Sequence, residues 1–362
     1  MSSPLRTVLF VVGARPNFIK VAALVRGFRA EAPSLRVRLV HTGQHYDYAM
    51  NEAFFQQLEI PVPDFTLEVG SASHAVQTAE IMIRFEPILD TALPDCVVVV
   101  GDVNSTIACA LVAAKKGVKV AHVEAGLRSR DRAMPEEINR VLTDQLSDRL
   151  YTTERSALAN LVAEGIPADK VVFAGNVMVD TLRWGLERAV QPMETDYAVL
   201  TLHRPSNVDR PEVLSRLLET IADLPGAPQV IFPVHPRTRA KIQEAGLSAL
   251  LEGGRIKAIP PCGYFEMLGL VRNARLVLTD SGGLQEETTA LGIPCVTLRE
   301  NTERPITLTE GTNTLVGTDA GAIRAAVQRA LAEPDRAIRI PEGWDGRAAN
   351  RIAADLAEWL ER

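Results

Sequence analysis

The chain has 362 residues, enough at roughly 150 residues per domain for two domains that each bury a core. Thirty-nine Lys and Arg against 45 Asp and Glu leave a net charge of −6, and the absence of a basic block argues against nucleic acid or an anionic membrane as partner. A hydrophobic share of 46% and a charged share of 23% match soluble globular proteins and exclude disordered, collagen-like and membrane-spanning classes.

The first apolar run, 7–12, ends in Gly13-Ala14-Arg15-Pro16. It lacks a small-residue cleavage site and is too short to span a membrane, so it reads as strand one of a cytoplasmic protein. Short β-branched runs follow at 37–41, 96–101, 118–123, 149–152 and 171–173, each leading through a turn into a helix-period segment. That alternation predicts a parallel sheet covered by helices. A second array, 197–202, 230–233, 256–259, 276–279, 295–298 and 314–316, predicts another sheet. The crossover falls in the helix-like stretch after Gly175, giving domains 1–178 and 179–346. Cys96, Cys109, Cys262 and Cys295 lie far apart without metal-ligand spacing and read as reduced thiols.

Polar residues collect where the predicted strands end: Arg15, His41, Asp102, Glu124, His203, His235, Asp280 and Ser281. In open α/β sheets ligands bind outside those carboxyl ends. Each residue alone reads as a cap or turn, but eight at the same end of successive strands predict a site in a cleft between two facing domains.

A small set of segments carries the chemistry. Thr279-Asp280-Ser281-Gly282-Gly283 leads from a strand into a helix, where glycine backbone and the positive helix end suit phosphate oxygens. Glu287, one turn on, has the two acceptor oxygens that a ribose diol requires. Arg15 and Lys20 place cations near another helix start, which an anionic ligand would explain. Glu124, in His122-Val123-Glu124-Ala125-Gly126, ends an apolar strand and is a candidate acid or base; with Asp102 and Glu136 it offers several carboxylates to one cleft. Glu137 reads as a first-turn dipole partner in a helix whose apolar side is Ile138, Val141, Leu142 and Leu146. His203, followed by Arg204, leans towards the site, whereas His235 between prolines divides evenly between site and structure.

Together these segments resemble the non-hydrolysing UDP-N-acetylglucosamine 2-epimerases. The resemblance is carried in order by Gly13-Ala14-Arg15-Pro16, Gly43-Gln44-His45, Gly101-Asp102, His122 to Arg128, Pro135-Glu136-Glu137-Ile138-Asn139-Arg140, Gly175-Asn176-Val177, His203-Arg204, Thr279 to Glu287 and Thr302-Glu303-Arg304-Pro305. It implies an α/β fold of two facing Rossmann-like, doubly wound domains of the GT-B type, with helix 347–362 returning to the first. It implies elimination of UDP to 2-acetamidoglucal and re-addition with opposite configuration at carbon-2. By position Asp102, Glu124 and Glu136 match the acid/base carboxylates, and His203 matches a histidine that assists the leaving diphosphate. The implied substrate contacts are Arg15, Lys20, His235, Ser281, Gly282, Gly283, Glu287 and Arg304, with Tyr264, Phe265 or Met267 bordering the uracil. The expected partners are a UDP-sugar and a second copy of the chain in a homodimer, without metal or other cofactor.

The sequence departs from the family's usual Gly-Thr-Arg-Pro-Glu at Ala14 and Asn17. It has Tyr46 where substrate-activated bacterial members carry arginine after Gln-His, which leaves room for a relative acting on a sugar modified at carbon-3 or carbon-6, such as UDP-2,3-diacetamido-glucuronic acid. A retaining glycosyltransferase on the same fold is the reading from another class. Many such enzymes hold the nucleotide with glutamates eight positions apart, but eight beyond Glu286 and Glu287 stand Pro294 and Cys295.

Overall fold

The computed structural model describes residues 5–44, 54–332 and 339–362. The chain divides into two compact units, Met1–Thr181 with Glu342–Arg362, and Leu182–Pro341. The division falls inside the helix Val177–Leu186.

The first unit is built on a parallel sheet in the order β3-β2-β1-β4-β5-β6-β7. Its strands are β1 (Arg6–Val12), β2 (Leu35–His41), β3 (Phe65–Thr66), β4 (Cys96–Val100), β5 (Lys119–Ala125), β6 (Arg149–Thr152) and β7 (Val171–Phe173). Central β4, Cys-Val-Val-Val-Val, is buried at every position, as expected of a strand covered by helices on both faces. The second unit repeats the plan in the order β10-β9-β8-β11-β12-β13. Here the strands are β8 (Tyr197–Thr201), β9 (Gln229–Pro233), β10 (Ile256–Ile259), β11 (Leu276–Thr279), β12 (Cys295–Thr297) and β13 (Asn313–Leu315). Every pairing within the two sheets is parallel. Both units are therefore Rossmann-like α/β folds, the class the sequence predicts. The two-residue strand Phe65–Thr66 was not among the predicted ones.

The strand orders locate the functional ends. In the first sheet the chain runs outward from β1 to β3 and then returns to start again at β4; in the second it does the same from β8 to β10 and returns at β11. At such a reversal neighbouring connections leave on opposite faces and open a crevice beyond the carboxyl ends. The segments after β1 and β4 begin at Gly13 and Gly101, and those after β8 and β11 hold His203 and Asp280.

Within the first unit the last helix, Ala348–Glu361, packs on the helix Arg15–Glu31. Asp180 caps it, accepting hydrogen bonds from the backbone of Ala348 at 3.1 Å and Ala349 at 2.7 Å. The close approach depends on Gly27: a Cβ there would lie 2.7 Å from the Ala349 carbonyl carbon. Gly27→Val is expected to lower stability by about 1–3 kcal/mol through overpacking against backbone that cannot move aside. A lowered thermal midpoint checks this, and an unchanged midpoint contradicts the packing described.

Candidate active site

In the first unit the site is organised by β5. Glu124 has φ 75°, and the pairing of β5 with β6 shifts register between Val123 and Ala125. A non-glycine residue in the left-handed region is strained, and such strain clusters at functional positions. The bulge re-aims the side chain, and the Glu124 carboxylate lies 2.5 Å from Lys20 Nζ with both side chains almost wholly buried. Lys20 is carried by the helix that follows β1. The turn after β4 closes over the pair: Gly101 has φ +67°, and a Cβ there would lie 3.2 Å from Lys20 Nζ. Asn17 donates its amide to the Val100 carbonyl at 2.8 Å.

Asp144 fixes the strained segment. Its Oδ1 lies 2.7 Å from His122 Nδ1, and its Oδ2 accepts from Gly126 N at 3.1 Å and Arg128 Nη2 at 2.7 Å. The other nitrogen of His122 lies 2.8 Å from the Gly101 carbonyl. With both nitrogens engaged and the ring buried, His122 is a strut between β5 and the turn after β4.

The helix Pro135–Leu146 faces this turn with its polar side. Glu137, Arg140, Thr143 and Asp144 are buried, while Ile138 and Leu142 are 42% and 49% exposed. Helical spacing identifies an apolar side but not which side meets the sheet. Arg140 bridges the Asp102 and Glu137 carboxylates. Asn139 donates to the Asp102 carbonyl at 2.9 Å. Glu137 also accepts from the backbone of Ser129 and Arg130 at 2.9 and 2.8 Å. Burial opposes its charge, but these two N–H groups and Arg140 outweigh burial and hold the carboxyl below its ordinary range. Glu137 is thus engaged in ordering the loop before the helix, while Glu136 is half-buried with no hydrogen bond to its carboxylate among the described residues.

In the second unit Asp280 is the corresponding buried carboxylate. It accepts from the backbone of His203 at 3.0 Å and Arg204 at 2.9 Å and from Asn207 Nδ2 at 3.2 Å, and its Oδ1 lies 2.8 Å from His203 Nδ1. Burial opposes the charge, yet the hydrogen bonds from His203 and Arg204 hold the carboxyl below its usual value.

Ser281 caps the helix Gly282–Leu291, its hydroxyl accepting from Leu284 N at 3.4 Å. A side chain at Gly282 would meet Glu303, whose Oε1 lies 2.6 Å from the Cβ position. Burial opposes the charge of Glu303 too, but Arg304, Arg299 and Arg204 outweigh it and keep the group ionised. Arg299 Nη2 is 2.8 Å from Glu303, and Arg304 Nε is 3.0 Å from Glu286. The helix start therefore sits beside Arg204, Arg299 and Arg304, which are paired with Glu303 and Glu286, and its backbone donors suit a phosphate group. Glu287, on the first turn and a half of that helix, is buried, and burial with the neighbouring Glu286 charge pushes its carboxyl up to about 8.

The other candidate residues occupy varied environments: the Arg15 side chain and residues His45 and Tyr46 lie outside the described residues, and His235 is exposed as the cap of the helix Pro236–Glu244. Tyr264 is buried with its ring 5.7 Å from that of Phe265, which is 5.8 Å from Trp184. Met267 packs against the buried cluster of Tyr197, Val199 and Ile231. His41 lies between Phe18 and Phe55 at 5.7 and 5.6 Å, and burial lowers its pKa; it belongs to an aromatic cluster. Asp144, Arg140 and Asn207, which the sequence alone does not single out, hold the candidate groups in place. Their signal is faint: polar positions within helices whose buried faces only the fold defines.

A family model described as UDP-N-acetylglucosamine 2-epimerase matches residues 29–357. A Methanococcus maripaludis protein named UDP-N-acetylglucosamine 2-epimerase is 43% identical over 335 residues, 89% of this chain and 90% of its own. A Pseudomonas aeruginosa protein named UDP-2,3-diacetamido-2,3-dideoxy-D-glucuronate 2-epimerase is 40% identical over 358 residues, 97% of this chain and 99% of its own. The crystal structure of Methanocaldococcus jannaschii UDP-GlcNAc 2-epimerase in complex with UDP-GlcNAc and UDP matches with a TM-score of 0.89 at 40% identity, over 97% of this chain and 99% of that one.

The Glu286 and Glu287 pair gives a test that needs no ligand. A carboxyl whose native value is raised from 4.5 to about 8 binds an extra proton in the folded state between those values. Its contribution to stability is therefore full at low pH and declines as pH rises through that window. Glu287→Gln is expected to flatten the fall in stability between about pH 5 and 8, read by urea unfolding across pH. The same slope in parent and variant would contradict the raised value.

Proposed function

The chain belongs to the UDP-N-acetylglucosamine 2-epimerase family and is an isomerase; on that premise we propose that it interconverts UDP-GlcNAc and UDP-ManNAc without releasing the free sugar. In the proposed reaction a base removes the carbon-2 proton as the carbon-1–oxygen bond to UDP breaks, leaving 2-acetamidoglucal. UDP then adds back at carbon-1 while a proton is delivered to the other face of carbon-2.

The observation that carries this reading is the buried Glu124 carboxylate, paired with Lys20 on a residue with φ 75°. A strained, desolvated acid beside a cation is poised for proton transfer next to a leaving anion. Asp102 and Glu136 complete the proposed acid/base set. The proposed nucleotide groups are Ser281, Gly282, Gly283, Glu287 and Arg304, with Arg15, Lys20 and His203 serving the diphosphate and His235, Tyr264, Phe265 and Met267 at its margins. Supporting this, the start of the helix Gly282–Leu291 offers backbone donors beside Arg304. The product suits assembly of a cell-surface polysaccharide in the cytoplasm.

The proposal includes a homodimer, supported by the exposed apolar Ile138 and Leu142, four positions apart on one helix face. Light scattering at twice the 39.4 kDa chain mass tests it.

Glu124→Gln is expected to retain UDP binding by calorimetry and to lose epimerisation by at least about 10²-fold, the scale of general acid/base work. Near-full turnover in that variant would remove Glu124 from the chemistry. Turnover of UDP-2,3-diacetamido-glucuronic acid but not UDP-GlcNAc would change the substrate and leave the acid/base reading intact.

A further inference from the structure

The mechanism above uses His203 and leaves Asp280 without a role, although this buried carboxylate is held by several donors. Its side chain has no exposure, and that of His203 is 52% exposed. The carboxylate binds both the backbone and the ring of the same histidine: His203 N lies 3.1 Å from Oδ1 and 3.0 Å from Oδ2, and His203 Nδ1 lies 2.8 Å from Oδ1. Two further donors complete its shell, Arg204 N at 2.9 Å and Asn207 Nδ2 at 3.2 Å. Asn207 is itself pinned to the Leu298 carbonyl at 2.9 Å, so the carboxylate is fixed to β12's exit as well as to β8's.

A carboxylate so placed has chemical consequences for the ring. It can only accept, so a hydrogen bond at 2.8 Å requires the proton on Nδ1. The other nitrogen, Nε2, is then the atom presented outward, and the ring cannot rotate without breaking that bond. Such an arrangement sets tautomer and orientation together, as the acidic partner does in histidine-dependent catalysis generally.

We propose that Asp280 is a positioning residue for the epimerisation, accepting from His203 Nδ1–H and fixing the ring so that Nε2, when it also carries a proton, donates to the leaving diphosphate. This rests on the functional reading given above. Asp280 touches no reacting atom; it acts through His203.

The primary experiment is a double-substitution cycle on the full chain, with kcat and KM for UDP-GlcNAc. Asp280→Asn is expected to lower kcat by about 10–10²-fold with KM little changed, the usual scale for a partner that orients a working side chain. In a His203→Gln background the same change is expected to cost almost nothing more, because the group it serves is gone. Losses that multiply in the double variant would show that Asp280 acts independently of His203 and overturn the proposal.

Asp280→Asn removes a buried charge and its folding is checked by circular dichroism. Replacing His203 with Nδ1-methylhistidine leaves Asp280 and its backbone bonds in place and breaks only the ring contact. That variant is expected to show the same loss of kcat; full activity would overturn the proposal.

A separate readout is independent of turnover: the nitrogen-15 spectrum of the histidine-labelled parent, with His203→Gln to assign the resonance. It is expected to show the Nδ1–H form at His203, lost in Asp280→Asn. An Nδ1 without a proton in the parent would overturn the proposal. If the parent shows the Nδ1–H form but leaves UDP-GlcNAc unchanged, the substrate reading falls and the His203–Asp280 arrangement stands.

Discussion

Glu124 combines two costs in one residue. Its backbone occupies the left-handed region, worth about 1–3 kcal/mol for a non-glycine residue, and its carboxylate is withdrawn from water against Lys20. A buried ion pair does not repay its desolvation unless the geometry is good and further hydrogen bonds help. Much of the first unit serves to hold these costs in place. Asp144 ties together His122, the backbone of Gly126 and Arg128, and Arg128 is in turn gripped by Glu164. Arg140 and Asn139 fix the turn bearing Asp102. The helix Pro135–Leu146 therefore turns its charged side inward and leaves Ile138 and Leu142 in the open.

The second unit solves a related problem with a different set of charges. Asp280 is satisfied almost entirely by groups that begin the segment after β8. Next to it, three arginines surround Glu303, while Glu286 and Glu287 lie side by side on the adjoining helix. One acidic side chain is held ionised by its neighbours and another is driven towards its neutral form, although both are buried. The difference lies in the partners: guanidinium groups around the first, a like charge beside the second. Such a concentration of buried charge weakens a fold unless a ligand uses it, which fits the expectation that stability is traded for function at binding sites.

Much of the framework was legible in the sequence because parallel strands covered on both faces read as continuous β-branched runs. β4 at Cys96–Val100 and β11 at Leu276–Thr279 are buried throughout and could be recognised without knowing their neighbours. Phe65–Thr66 could not, since two residues carry no period and the strand exists only by pairing with the end of β2. The locations of Glu124, His203 and Ser281 followed from strand ends and glycine turns. What holds them did not: the His122–Asp144 contact spans 22 positions and the His203–Asp280 contact spans 77. Neither local spacing nor propensity reports a partner at that distance. The left-handed backbone of Glu124 was equally hidden, because Ala-Gly after it signals a turn without saying which residue bears the strain. The orientation of the helix Pro135–Leu146 was hidden for a related reason: spacing reveals an apolar side, and the buried charges of the site turn the other side inward.

The proposed chemistry turns on proton transfer at carbon-2 within a nucleotide sugar whose UDP departs and returns. The most direct measurement is proton NMR of UDP-GlcNAc incubated with the chain in deuterium oxide. The expected result is UDP-ManNAc carrying deuterium at carbon-2, with free ManNAc absent. Product that retains its original carbon-2 hydrogen would contradict removal of that proton and its replacement from solvent, and release of ManNAc with UDP would contradict the return of the leaving group.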